Sequence, residues 1–277
     1  MTIAVSLNLP DGVILGIDSA VTILTQDGTG IAKVYEQGEK LFQLTDRPIG
    51  IAFYGAGGIG ARSMGSYVRE FALTDPGAVG KGAALDATVE ALRAFLLAKY
   101  QETIVPALEK SIGKSFAEIP DDKKPTVGVV VGGFASDAHL SEVWNIELPA
   151  NAAAGSATCR RKQGEFGDDW YARDDPIIRY LRGIDKTLLF EIVTVFEKIV
   201  GRSMTDQETE TLREILSASC YQIPFGGMPM EEGVAYVSFL VGLVINHYRF
   251  AVGAPVVGGA VHLGKVTYDA KDFQLVT

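Results

Sequence analysis

The chain opens with two β-rich runs, Thr2–Leu9 and Val13–Asp18, joined by Pro10-Asp11-Gly12, a hairpin signature. A second pair, Lys40–Leu44 and Ile49–Phe53, flanks the turn Thr45-Asp46-Arg47-Pro48. The period then lengthens. Ile59, Met64, Tyr67, Val68 and Phe71 fall at helical spacing, predicting a helix over Gly55–Leu73 that stops at Thr74-Asp75-Pro76-Gly77. A long second helix is predicted over Asp86–Ile112, with Leu85, Val89, Leu92, Phe95, Leu96 and Tyr100 on its apolar stripe. Pro106 should kink or split it, because proline removes one helical donor and crowds the preceding turn.

Beyond a polar loop at Ile119–Pro125, strands are predicted at Thr126–Val131, Leu140–Ile146 and about Ala157–Glu165. Asp175–Leu181 reads as a helix with proline in its first turn. Phe190–Val200 and Gln207–Ala218 follow as amphipathic helices, the second behind a capping-box pattern at Thr205–Glu208. Met230–Tyr248 is a further long helix, and Gly258–Tyr268 and Phe273–Val276 are closing strands. Strands and helices come in groups rather than in alternation, which predicts an α+β fold of two mixed sheets flanked by helices. Residues 1–277 read as a single domain, with a helical insertion over about 183–227.

Composition adds exclusions. With 47% apolar and 21% charged residues the chain is of ordinary globular type. A net charge of −9 argues against a nucleic-acid binder, which needs a basic face. Cys159 and Cys220 lack metal-type spacing, so no zinc site or disulfide framework is expected and a reducing cytoplasm is the better expectation. His139, His247 and His262 show no ligand pairing. Residues 1–20 lack a basic start and carry Asp11 and Asp18, unlike a secretory signal. No apolar stretch reaches the roughly 20 residues of a membrane-spanning helix.

Two features carry candidate chemistry. A threonine at position 2, freed at its amine, would hold a hydroxyl nucleophile and its own base on one framework. That amine titrates at about 7.7–8.0 when unperturbed and is partly neutral near pH 7. The second is Gly55-Ala56-Gly57-Gly58-Ile59-Gly60, which fits the dinucleotide-binding glycine pattern. Its context fails at the next step, since no second parallel strand ending in an acid follows. Tight strand-to-helix turning is the plainer use of these glycines.

Thr2-Ile3-Ala4-Val5, Asp11 to Ser19, Glu39 to Leu44, Ile49 to Gly55 and Val257-Gly258-Gly259-Ala260-Val261-His262-Leu263 occur in the order of a known family. By these residues the chain resembles the proteasome β-type family of N-terminal nucleophile hydrolases, and within it bacterial members that begin Met-Thr. The resemblance implies a four-layer αββα sandwich. It implies Thr2 as nucleophile once Met1 is removed, with Asp18 as the aspartate that pairs with a lysine. Lys40 matches that lysine, whose charge would lower the pKa of the hydroxyl or amine. Lys33 is the rival, closer to the usual spacing from Thr2 but without the matching strand and turn behind it. Gly55 would offer its backbone N–H to the oxyanion, a donor whose loss costs roughly 3–4 kcal/mol of barrier.

The chain departs from the family downstream. Gly164-Glu165-Phe166-Gly167-Asp168-Asp169 stands where a Gly-Ser-Gly turn is usual, and Arg249–Gly259 lacks the usual aspartate and serine. Asp168 or Glu165 is the positional substitute. Three functions follow. The first and favoured one is a threonine-type peptidase or amide hydrolase. The second is a non-catalytic scaffold subunit of the same fold, and the third a nucleotide-binding protein using the Gly55–Gly60 turn. The resemblance further implies a peptide or protein substrate, a homo-oligomer of ring or ring-like form, and an ATP-dependent unfoldase as the kind of partner such rings take. No cofactor, metal, nucleic acid or membrane partner is expected.

Overall fold

The first predicted hairpin forms and is buried along both arms, which is why it reads as nearly continuous apolar sequence. In the computed structural model, residues 2–24, 31–44, 47–80, 82–136, 138–149, 155–218, 220–253, 256–269 and 272–276 are described. Met1, the Thr45-Asp46 half of the second turn, part of the Gln26–Gly38 loop and Ala254-Pro255 lie outside them.

Strands β1 (Ile3–Leu9), β2 (Gly12–Asp18), β3 (Val21–Leu24), β4 (Ile31–Tyr35), β5 (Leu41–Gln43), β6 (Ile49–Gly55), β7 (Gly58–Ile59) and β8 (Arg62–Ser63) precede helices α1 (Met64–Thr74) and α2 (Leu85–Ile112). Then come β9 (Val127–Gly133), β10 (Glu142–Leu148), β11 (Ser156–Arg161) and β12 (Gly167–Ala172). Helices α3 (Asp175–Arg182), α4 (Lys186–Val200), α5 (Asp206–Ala218) and α6 (Met230–Phe250) lead to β13 (Val261–Thr267) and β14 (Phe273–Val276). The fold is α+β.

Among the described residues two five-stranded sheets form, in the orders β12-β1-β2-β13-β14 and β11-β10-β9-β6-β5. All their pairings are antiparallel, so the expected mixed sheets are corrected to antiparallel ones. The two-residue period of a strand sends alternate side chains to opposite faces. On β2, Val13, Leu15 and Ile17 join Ala52, Tyr54 and Val130 of the second sheet in one apolar cluster. On β1, Ile3, Val5, Leu7 and Leu9 join Ile177 of α3 and Val237, Leu240 and Val241 of α6. A third cluster sets Phe53 and Val129 against Met64, Tyr67 and Phe71 of α1 and Leu92 and Leu96 of α2. Each such fully buried side chain contributes about 1.5–3 kcal/mol by leaving water.

The remaining differences have local causes. The first helix starts at Met64, not Gly55, because residues 58–63 close a small hairpin, Gly58 opposite Ser63 and Ile59 opposite Arg62. Ser63 then caps α1 by accepting from Ser66 N–H. Pro106 neither splits α2 nor ends it; one helix runs through it to Gly113. The hairpin β3–β4 and the strand β12 are additions to the expected order. In β12 Asp168 and Asp169 interrupt an apolar pattern, yet Asp169 is buried between Arg160 and Arg161, which bond it at 3.2 and 2.7 Å. The insertion helices form, and Thr205 and Glu208 make the reciprocal bonds of a capping box at 2.8 and 3.2 Å. Among the described residues no helix is long and apolar enough to cross a membrane.

Candidate active site

Three strand ends meet at Thr2. The residue precedes β1, is buried, and its carbonyl accepts from Arg173 N–H at 3.1 Å beyond the end of β12. Asp18 ends the neighbouring β2, where the register sets Ala4 opposite Ile17. Its carboxylate therefore reaches back to accept from Ile3 N–H at 3.2 Å. Lys40 stands just before β5 in the other sheet, with its carbonyl accepting from Phe53 N–H at 2.9 Å. From there its Nζ donates to Thr2 Oγ1 at 2.9 Å and to Asp18 Oδ1 at 3.0 Å. The second carboxylate oxygen accepts from Ala20 N–H at 3.3 Å and Gly258 N–H at 3.2 Å.

Charges this deep are costly unless paired and hydrogen-bonded. Burial pushes the Lys40 ammonium below its usual range, and the Asp18 charge pulls partly the other way. Burial likewise pushes the Asp18 carboxyl up, opposed by Lys40 and by the Gly258 and Ile3 amides. A cation with weakened hold on its protons, in contact with a hydroxyl oxygen, favours the hydroxyl's deprotonated form.

Thr2 and Lys40 open onto a cavity of about 40 Å³ walled by Ala20, Thr22, Phe53, Gly55 and Met64 among others. Such a volume admits a water or a small fragment of a ligand, not a large side chain. Gly55 lies on this wall at the end of β6 with φ +83°, and a Cβ there would come within 2.2 Å of Thr126 O. Only glycine fits that backbone. Thr22 Oγ1, in the same wall, is buried and has no hydrogen-bond partner among the described residues.

Thus Lys40 bonds both Thr2 and Asp18, and Gly55 shares the cavity of Thr2 and Lys40. Lys33 is not with them: it is exposed on β4, its Nζ 5.8 Å from the centre of the Tyr35 ring. Nor are the two positional substitutes. Asp168 pairs in register with Leu7 and accepts from Tyr236 Oη at 2.7 Å and Trp170 Nε1 at 2.9 Å. The Glu165 carboxylate accepts from Lys162 N–H at 3.0 Å. The Gly55–Gly60 run does not open a helix, since β7 and β8 intervene before α1, so it lacks the helix N-terminus that a pyrophosphate site uses.

The backbone donors Ile3, Ala20 and Gly258 have no signature in the sequence, because a main-chain N–H leaves no residue-type signal. Gly258-Gly259 belongs to the Val257–Leu263 run that carries the resemblance, with no role given there to its N–H groups. Among the described residues, no group of three or more His, Cys, Asp or Glu side chains could hold a metal ion. No family model matches the chain, and no curated protein matches it in sequence.

Proposed function

We propose that the chain is an amide hydrolase of the threonine, N-terminal nucleophile type, acting once the peptide bond before Thr2 is cut. One observation carries this reading: a buried ammonium, Lys40, bridges a threonine hydroxyl and a carboxylate at the wall of a cavity. The freed α-amine of Thr2 takes the hydroxyl proton as Oγ1 attacks the substrate carbonyl. Lys40 lowers the cost of the developing alkoxide, and Asp18 holds Lys40 in place. The Gly55 N–H faces the oxyanion. The tetrahedral intermediate collapses to an ester on Thr2, with the amine's proton passing to the departing amine. Water then adds to the ester, releasing the acid and restoring Thr2.

The order of the apolar clusters, helices against sheet, sheet against sheet, sheet against helices, supports the four-layer αββα sandwich. A homo-oligomer of ring or ring-like form, acting on peptide or protein in the cytoplasm, is the setting we propose. Exposed Phe190, Val195 and Ile199 on α4 support a surface covered in an assembly.

Intact mass of the purified protein, with and without a β-lactone probe, tests the chemistry. The expected result is a chain beginning at Thr2 that gains one adduct mapped to that residue. A chain that keeps residue 1, or takes no adduct on Thr2, would falsify the hydrolase. The second reading, a non-catalytic scaffold subunit, is favoured by the distance of Asp168 and Glu165 from Thr2. It predicts the same fold with an inert Thr2.

A further inference from the structure

Ser19 follows the aspartate directly, is wholly buried, and bonds to both segments that complete the site. Its hydroxyl donates to Glu36 O in a short bond, and its carbonyl accepts from Gly38 N–H at 2.7 Å. These two bonds clamp the stretch that delivers Lys40. On the other side, Ser19 Oγ accepts from Ala260 N–H at 2.8 Å, and Ser19 N–H donates to Ala260 O at 3.0 Å. That second pair fixes the segment whose Gly258 N–H donates to Asp18. The clamp is close. A Cβ on Gly38 would come within 2.2 Å of Val21 Cγ2 and 3.0 Å of Ser19 O, so any larger residue there would press on both neighbours.

We infer that Ser19 is a positioning residue for the Thr2 chemistry: its hydroxyl joins the Lys40 segment to the Gly258–Ala260 segment and so sets where Nζ stands against Thr2 Oγ1. The inference rests on the hydrolase reading and goes beyond it, since Ser19 does not itself line the cavity. Both bonding roles of the hydroxyl are used at once, as donor to one segment and acceptor from the other. An alanine leaves Glu36 O and Ala260 N–H without this partner. The stretch leading to Lys40 then loses its anchor at Glu36 and keeps the backbone bond from Gly38 N–H to Ser19 O, and displacements near an ångström are enough to slow an aligned reaction.

The test uses the full chain with Thr2 exposed and a β-lactone probe, measuring kinact and KI separately beside an active-site titration and a thermal melt. Ser19→Ala is expected to lower kinact by about tenfold to a hundredfold per titratable site while leaving KI unchanged. Ser19→Cys, close in size but a weaker donor and acceptor, is expected to fall between the two. A folded Ser19→Ala variant with wild-type kinact overturns the inference. So does one that loses only titratable sites while the remainder react at the wild-type rate, the signature of a merely structural role. Should Ser19→Ala not fold, Ser19→Cys decides alone: wild-type kinact overturns, reduced kinact supports. A wild-type chain that takes no label removes the hydrolase reading and this inference together, whereas labelling of both at one rate removes only the inference.

Discussion

Lys40 and Asp18 form an ion pair at 3.0 Å with side chains 8% and 0% exposed, one from each sheet. A pair this buried does not stabilise a fold by default, because desolvation offsets the Coulomb gain. Its geometry makes more sense as a way to hold a cation beside Thr2 Oγ1.

Removing one partner leaves the other charge buried alone. Lys40→Met should therefore destabilise the chain by about 3–5 kcal/mol in urea denaturation. Lys40→Met combined with Asp18→Leu should recover much of that loss, because no ionised group then remains in the cluster. Both variants should be inert toward a β-lactone. A double variant no more stable than the single one would show that the pair holds the fold rather than the chemistry.

The labelling rate should trace a bell against pH. Its acid limb belongs to the Thr2 amine, which must be neutral and whose ordinary value is about 7.7–8.0. Its alkaline limb belongs to Lys40, which must be charged. Because burial lowers the Lys40 pKa, the charged form is lost as pH rises through that lowered value. The alkaline limb therefore lies below the usual lysine value of about 10.4. In Lys40→Arg the guanidinium stays charged, so whatever rate survives should lose that limb. A wild-type rate still climbing above pH 10.4 would rule out the assigned role of Lys40.

The resemblance singles out Thr2, Asp18 and Lys40; each stands at the end of an apolar block, and strand pairing brings such block ends together. The choice of Lys40 over Lys33 comes from the resemblance, through the run Leu41–Leu44 and the turn behind it. What stayed hidden depends on distant partners. The strand β12 was masked by Asp168 and Asp169, whose charges are satisfied by Arg160, Arg161, Trp170 and Tyr236. The start of α1 was misplaced because Gly55–Gly60 keeps helical spacing at Ile59 while the backbone closes a hairpin there. Ser19 reads in the sequence only as the last residue of the Asp11–Ser19 run; its hydroxyl partners, Glu36 O and Ala260 N–H, are brought to it by the fold.

Lys33→Ala offers the matching control. Lys33 sits exposed over Tyr35 on β4, away from Thr2. Surface substitutions of this kind change stability by no more than about 0.5 kcal/mol. Labelling rate and melting temperature should both match the wild type, while Lys40→Ala abolishes labelling. A large loss of labelling in Lys33→Ala would reopen the choice between the two lysines.

Thr22 presents the opposite case, a polar atom whose removal should help. Its Oγ1 is buried in the cavity wall without a partner among the described residues, which costs desolvation with no compensating bond. Valine has nearly the same shape and suits a strand such as β3 at least as well. Thr22→Val should raise stability by roughly 1 kcal/mol, seen as a melting temperature about 2–4 °C higher. A lower melting temperature would mean that the hydroxyl is satisfied in solution. If the hydroxyl instead serves a bound substrate, Thr22→Val will be more stable and yet show a raised KI toward the probe, since a group left unpaired in the free protein is one a ligand can satisfy.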